Sequence, residues 1–147
     1  MLNFELLFLC GILCLIFGKK TFPMNLPNLQ NNNIEFFLNK ADIVRETADQ
    51  IMKDFGMFGI EITFSGNVEN AYSELHEQLI NQISVYLDRD YSRLMAVLYQ
   101  VDITEREIAK AHQELPHYND LEVLAHQVIF RDLKKVLFRR YYKAQSE

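Results

Sequence analysis

Apolar residues recur along most of this chain at intervals of three and four. Ile34, Phe37, Leu38, Ala41, Val44, Ala48, Ile51, Met52 and Phe55 form the first series. It predicts one helix of about six turns with a single stripe turned to a core. Asn33 stands where an N-cap belongs. Gly56 stands where a helix end favours a left-handed residue.

The period then changes. Phe58, Ile60, Ile62 and Phe64 alternate with Gly59, Glu61 and Thr63. This is the two-residue repeat of an extended segment with one buried face. A lone strand leaves its backbone groups unpaired. The segment must therefore pair with the preceding linker, pair with a second copy of the chain, or lie as a loop over the helices.

Helical spacing returns after the turn Ser65-Gly66-Asn67, where Asn67 is placed to cap the next helix. Val68, Ala71, Tyr72, Leu75, Leu79, Ile83 and Tyr86 make a second stripe. Tyr91, Leu94, Met95 and Leu98 make a third, with Asp88 or Asp90 as its cap. No Gly or Pro separates these two helices, so a single bent helix is the other possibility. Thr104 and Glu107 have the spacing of a capping box, and Ile103 and Ile108 that of the accompanying hydrophobic staple. The short helix that follows ends before Pro116. Asn119 and Glu122 repeat the capping spacing ahead of Leu121, Leu124, Ala125, Val128, Leu133, Val136, Leu137 and Tyr141. The expected fold is mainly α: a bundle of four to five amphipathic helices with one short extended segment near residues 58–64.

The domain expected to carry this bundle spans residues 34–143, with a tail at 144–147. Ahead of it, residues 21–33 hold two prolines and a run of Asn and read as a linker. Residues 1–20 are an apolar leader. Its core, Leu6 to Phe17, falls short of the roughly 20 apolar residues that span a bilayer. The leader has three readings. It is upstream sequence with Met24 as the working start, a short membrane anchor, or an atypical signal peptide. An anchor would leave Lys19 and Lys20 on the cytoplasmic side. A signal peptide would lack the usual leading charge and small-residue cleavage site. The first two readings place the domain in the cytoplasm, which is the expectation here. Both cysteines, Cys10 and Cys14, lie in the leader. The helical part therefore has neither a disulfide framework nor a thiolate.

The stretch Leu94 to Glu107, LMAVLYQVDITERE, resembles a motif of small uncharacterised helical proteins of Bacteroidetes bacteria, roughly L-L-Y-x-I/V-D-I/V-x-E. Residues 55–72, FGMFGIEITFSGNVENAY, are similar to the same group. The resemblance implies a cytosolic helical protein and no activity.

Candidate chemistry is sparse. His76-Glu77 has the start of a zinc-protease helix, but Ile80 stands where the second His is required. His112, His117 and His126 match no zinc spacing and read as exposed or turn-packed. Asp88, Asp90 and Asp102 read as helix-start and turn residues, with Asp102 holding the turn between two helices. No phosphate loop or nucleophile elbow is present. No enzyme activity, cofactor or metal is expected.

Charge changes the picture in one place. The chain carries a net −5, yet residues 131–147 carry +4. Arg131, Lys134, Lys135, Arg139, Arg140, Tyr142 and Lys143 are therefore the candidate interaction surface. It suits phosphates with tyrosines stacking on bases, an anionic membrane face, or the acidic body of a partner or second copy. Cations also gather at a helix C-terminus simply to complement its dipole. The expected function is a non-enzymatic protein-interaction module, binding an unknown protein or itself. The alternative is a nucleic-acid or ribosome-associated binder using the basic last helix. A membrane partner is expected only if residues 6–17 are an anchor.

Overall fold

A computed structural model describes residues 28–146. The readings of residues 1–20, and of most of the linker, lie outside the described residues. Among the described residues there are six helices: α1 (Ile34–Phe37), α2 (Ala41–Gly56), α3 (Ala71–Arg89), α4 (Tyr91–Val101), α5 (Glu105–Glu114) and α6 (Asp120–Ser146). The protein is mainly α. None of the described helices is long and apolar enough to cross a membrane.

α6 is the axis of the bundle. It packs most extensively on α3 and α2, and also meets α5 and α4. It runs opposite to α2, since Asp42 meets Arg140 while Asp54 meets Lys135. It also runs opposite to α3, since Tyr72 meets His126 while His76 meets Glu122. Apolar faces converge in one core that includes Val44, Ile51, Phe55, Leu75, Leu79, Ile83, Leu94, Ile129 and Leu133.

The first predicted helix is broken. One turn ends at Leu38, and α2 restarts after Lys40, whose backbone is extended (φ −98°, ψ 118°). The break shifts the stripe. Ile43 is buried and Ala41 is exposed, while Val44, Ala48, Ile51 and Phe55 keep their expected place. Asn33 precedes α1 without capping it. Its side chain accepts from Gln30 N–H and donates to Asn28 C=O instead. Packing also reaches upstream of residue 34. Leu29 lies against the core, and the buried Asn31 accepts from Gln127 at 2.6 Å and donates to Glu114 at 2.5 Å.

The left-handed residue ending α2 is Gly59 (φ 73°), not Gly56. Ile60 N–H donates to Phe55 C=O and Gly59 N–H to Gly56 C=O, the bond pair of a Schellman motif. Ile60 and Phe55, both buried, supply its hydrophobic contact. The chain then crosses α3 as an irregular segment. Ile60 and Ile62 are buried while Glu61 and Thr63 are exposed. The two-residue burial pattern is realised without a strand.

Capping decides the other boundaries. Asn67 accepts from Glu69 N–H and shapes the turn ahead of α3 rather than capping the helix. Asp90 accepts from Arg93 N–H, so α3 and α4 are separate helices. Thr104 and Glu107 form the capping box of α5. Asn119 and Glu122 exchange the same two bonds at the start of α6, at 2.8 and 3.0 Å.

Candidate interaction surface

Most cations of α6 face carboxylates of the same chain. α2 presents Asp42, Glu46, Gln50 and Asp54 at four-residue spacing, which places them in one row along the helix. Arg140 donates to Asp42 and Glu46, each at 2.5 Å. Arg139 donates to Gln50 at 2.6 Å. Lys135 lies 3.0 Å from Asp54 and 2.9 Å from Asp132. The guanidinium of Arg140, hydrogen-bonded to Asp42, holds that carboxyl below its ordinary range. The same bonds hold Arg140 above its own. Arg131 crosses to the other side of the bundle, donating to Glu107 at 2.9 Å and to Asp102. Asp102 is the left-handed residue ending α4 (φ 70°, ψ 51°), so Arg131 clamps the α4–α5 turn onto α6.

The remaining candidates are less engaged. Lys134 is half-buried over the Phe138 ring at 5.8 Å, and burial pulls its ammonium below the usual lysine range. Tyr142 is exposed and stacks on Phe138, with Tyr141 against its edge. Lys143 is exposed. The acidic body that the basic helix docks against is thus its own, on α2 and around the α4–α5 turn.

The buried carboxylate Asp132 was not singled out by its spacing. It faces the Asp54–Lys135 pair from within α6. Lys135 approaches one oxygen as an ion pair, but neither oxygen of Asp132 has a hydrogen-bond partner among the described residues. Burial, the largest cause, pushes its carboxyl up to about 7.

The histidines do not converge. His112 lies near Asp120 and His117 is exposed. His126, expected on the surface or in a turn, is buried. Its Nδ1 is 2.6 Å from the Tyr72 hydroxyl, which lies 3.1 Å from that of Tyr118. His76 stacks on Tyr72 and bonds Glu122 C=O. Burial pulls His126 down to about 4 and, with the Tyr118 hydrogen bond, pushes the Tyr72 phenol above its ordinary value. At physiological pH the His126 imidazole and the Tyr72 phenol are therefore both held neutral. A shallow depression of about 350 Å³ beside it is lined by Glu35, Leu38, Asn39, Val68, Glu69, Tyr72 and Ser73. Among the described residues, no group of three His, Cys, Asp or Glu is placed to hold a metal ion.

α4 carries the exposed apolar face. Leu94, Val97, Leu98 and Val101 fill its core side. Tyr91, Met95 and Tyr99, four residues apart, remain 59%, 36% and 60% exposed on the other. The third stripe read from the sequence mixed these two faces. The one charged residue of α4, Arg93, is held by Asp90 at 3.1 Å and lies over the Tyr86 ring. The exposed row therefore has no free charge on its own helix.

Compared with protein-family models, with curated proteins and with solved structures, the chain matches none.

Proposed function

We propose that this protein is a non-enzymatic, cytoplasmic interaction module that contacts another protein molecule through the outer face of α4. The observation that carries this is the exposed row Tyr91, Met95 and Tyr99. Aromatic residues and Met are enriched where proteins meet, and Tyr is prominent among residues that dominate binding energy. Singly exposed apolar side chains are ordinary. Three large ones in register on a helix whose one charged residue, Arg93, is paired with Asp90 make a surface suited to being covered.

The basic α6 supports this role less directly. Arg131, Lys135 and Arg140 already meet carboxylates, and Arg139 meets Gln50. Binding nucleic acid would require several of these bonds to be exchanged for phosphate contacts. The cations are better understood as the fastening of α6, and the α4 row as the contact.

Quantitative affinity capture from native cells tests the proposal, comparing the unaltered chain with Tyr91→Glu/Tyr99→Glu and with Arg139→Gln/Lys143→Gln. The first pair should lose the captured protein, or self-association measured by light scattering, and the second should retain it. Capture and oligomeric state both indifferent to the tyrosine changes would overturn the α4 assignment.

A further inference from the structure

We infer that Asp132 and Asp54 share one proton, and that this proton latches residues 132–146 of α6 onto α2. Three charged side chains meet between the two helices. The Lys135 ammonium lies 3.0 Å from Asp54 Oδ2 and 2.9 Å from Asp132 Oδ1. The two carboxyl side chains are 3% and 0% exposed. Two carboxylates against one ammonium would leave one negative charge buried and unpaired. A group in that position takes up a proton instead. Hydrogen bonding places it. Asp54 is served at both oxygens, Oδ1 by the Gln50 amide at 3.0 Å and Oδ2 by Lys135 at 3.0 Å. Neither oxygen of Asp132 accepts a hydrogen bond among the described residues. Asp132 is therefore the acid, and its O–H donates to Asp54, which lies within hydrogen-bonding reach.

The other charges near α6 are engaged elsewhere. Arg131 and Lys134, on the same helix, face Asp102 and Glu107. Arg93 of α4 is held by Asp90. α3 brings Tyr72 and His76 to His126 and Glu122, earlier on α6. Among the described residues, Asp54 and Lys135 are thus the charges that act on Asp132. Arg131 also sets where α6 stays fastened, just ahead of Asp132. Beyond it, the polar ties of Arg139 and Arg140 to α2 are largely exposed and individually weak. When Asp132 ionises, the bond to Asp54 is lost and two buried carboxylates repel across the seam. A detached helix of this length is marginal in water, so releasing the seam melts it. The closed seam keeps the proton up to about pH 7, whereas an open one gives it up near 3.8. Closure is therefore strongest below 3.8 and is lost as pH rises through about 7, the opening constant growing up to about tenfold per pH unit between them.

Amide hydrogen exchange by NMR on the full chain tests the latch, each rate being divided by that of an unstructured peptide at the same pH. Protection of the amides from Val136 to Arg140 should fall about tenfold per pH unit between about 5 and 6.5 and level off above about 7. Val128 and Ile129, ahead of Arg131, should not follow. Asp132→Asn, whose amide still donates to Asp54 but cannot ionise, should flatten the fall, and His126→Phe should leave it in place. Carboxyl-carbon shifts of the unaltered chain, which need no substitution, should show Asp132 titrating near 7. Protection beyond Asp132 that ignores pH, an equal fall in Asp132→Asn, or an Asp132 carboxyl titrating in the ordinary range would overturn the latch. So would an equal fall at Val128 and Ile129, since the proton would then act on the whole fold and not on this seam.

Discussion

The side-chain amide of Gln78 takes up both backbone groups of Thr63, accepting from its N–H at 3.0 Å and donating to its C=O at 2.7 Å. One residue of α3 thus does for the irregular 60–67 segment what a neighbouring strand would do. Glu74, one turn earlier, accepts from Ser65 N–H at 2.7 Å. The alternating burial of Ile60 and Ile62 keeps the segment on the core, and two helical side chains satisfy backbone that has no ladder.

Gln78→Ala should therefore release this segment selectively. The bonds are exposed, so the loss should be about 1 kcal/mol in urea unfolding. The Thr63 amide should lose protection from hydrogen exchange while amides in the middle of α3 keep theirs. Unchanged exchange at Thr63 would show that burial of Ile60 and Ile62 alone holds the segment.

How far the sequence reached depended on how local each signal was. The Thr104–Glu107 box and the Asp90 cap act within one turn; the box was readable outright, and the cap was narrowed to Asp88 or Asp90. The break at Leu38–Lys40 was not, because apolar residues run through it at unbroken helical spacing and Asn39 marks it only faintly. α4 misled for the opposite reason. With Leu94, Met95, Val97, Leu98, Tyr99 and Val101 on so short a helix, two stripes overlap and periodicity cannot say which faces inward. The row Asp42, Glu46, Gln50, Asp54 repeats every four residues but was not picked out from the sequence. Its meaning lay out of reach, because it pairs with residues more than eighty positions away. For the same reason the basic helix looked like a free surface.

The α4–α5 turn depends on Asp102 twice, through its left-handed backbone and through its bond to Arg131. Asp tolerates that conformation better than most residues. Asp102→Ala should cost about 1–3 kcal/mol, from the αL penalty and the largely buried Arg131 guanidinium left with Glu107 alone. Asp102→Asn, which keeps the backbone preference, should cost less. Thr104→Ala should cost about 1 kcal/mol through the cap. Chemical denaturation ranks the three, and equal losses for Ala and Asn at position 102 would remove the backbone argument.

The α2–α6 pairs should separate by depth. Arg140→Gln removes contacts to the exposed Asp42 and the partly exposed Glu46, so its effect should be small and should shrink in high salt. Lys135→Met strands Asp54 and Asp132, whose side chains are only 3% and 0% exposed. It should cost about 3–5 kcal/mol at pH 8 and less at pH 5, where Asp132 holds a proton. Similar losses for both substitutions at pH 8 would contradict the burial difference.

Asp132 and His126 should give opposite pH dependences that nearly cancel in the unaltered protein. Burial raises the Asp132 carboxyl from 3.8 to about 7. Its stabilising contribution is full below 3.8 and is lost as pH rises through about 7. Burial lowers His126 from 6.5 to about 4. Its contribution is present above 6.5 and is lost as pH falls through about 4. Between these limits the folded state holds one proton more at Asp132 and one fewer at His126. Each site then changes stability by up to about 1.4 kcal/mol per pH unit, with opposite signs. Asp132→Asn should leave the His126 dependence alone, so stability should rise with pH from 4 to 6.5. His126→Phe should leave that of Asp132, so stability should fall over the same range. Urea midpoints at closely spaced pH values read both slopes directly. Parallel curves for the two variants would mean that neither group keeps its shifted proton affinity in the folded state.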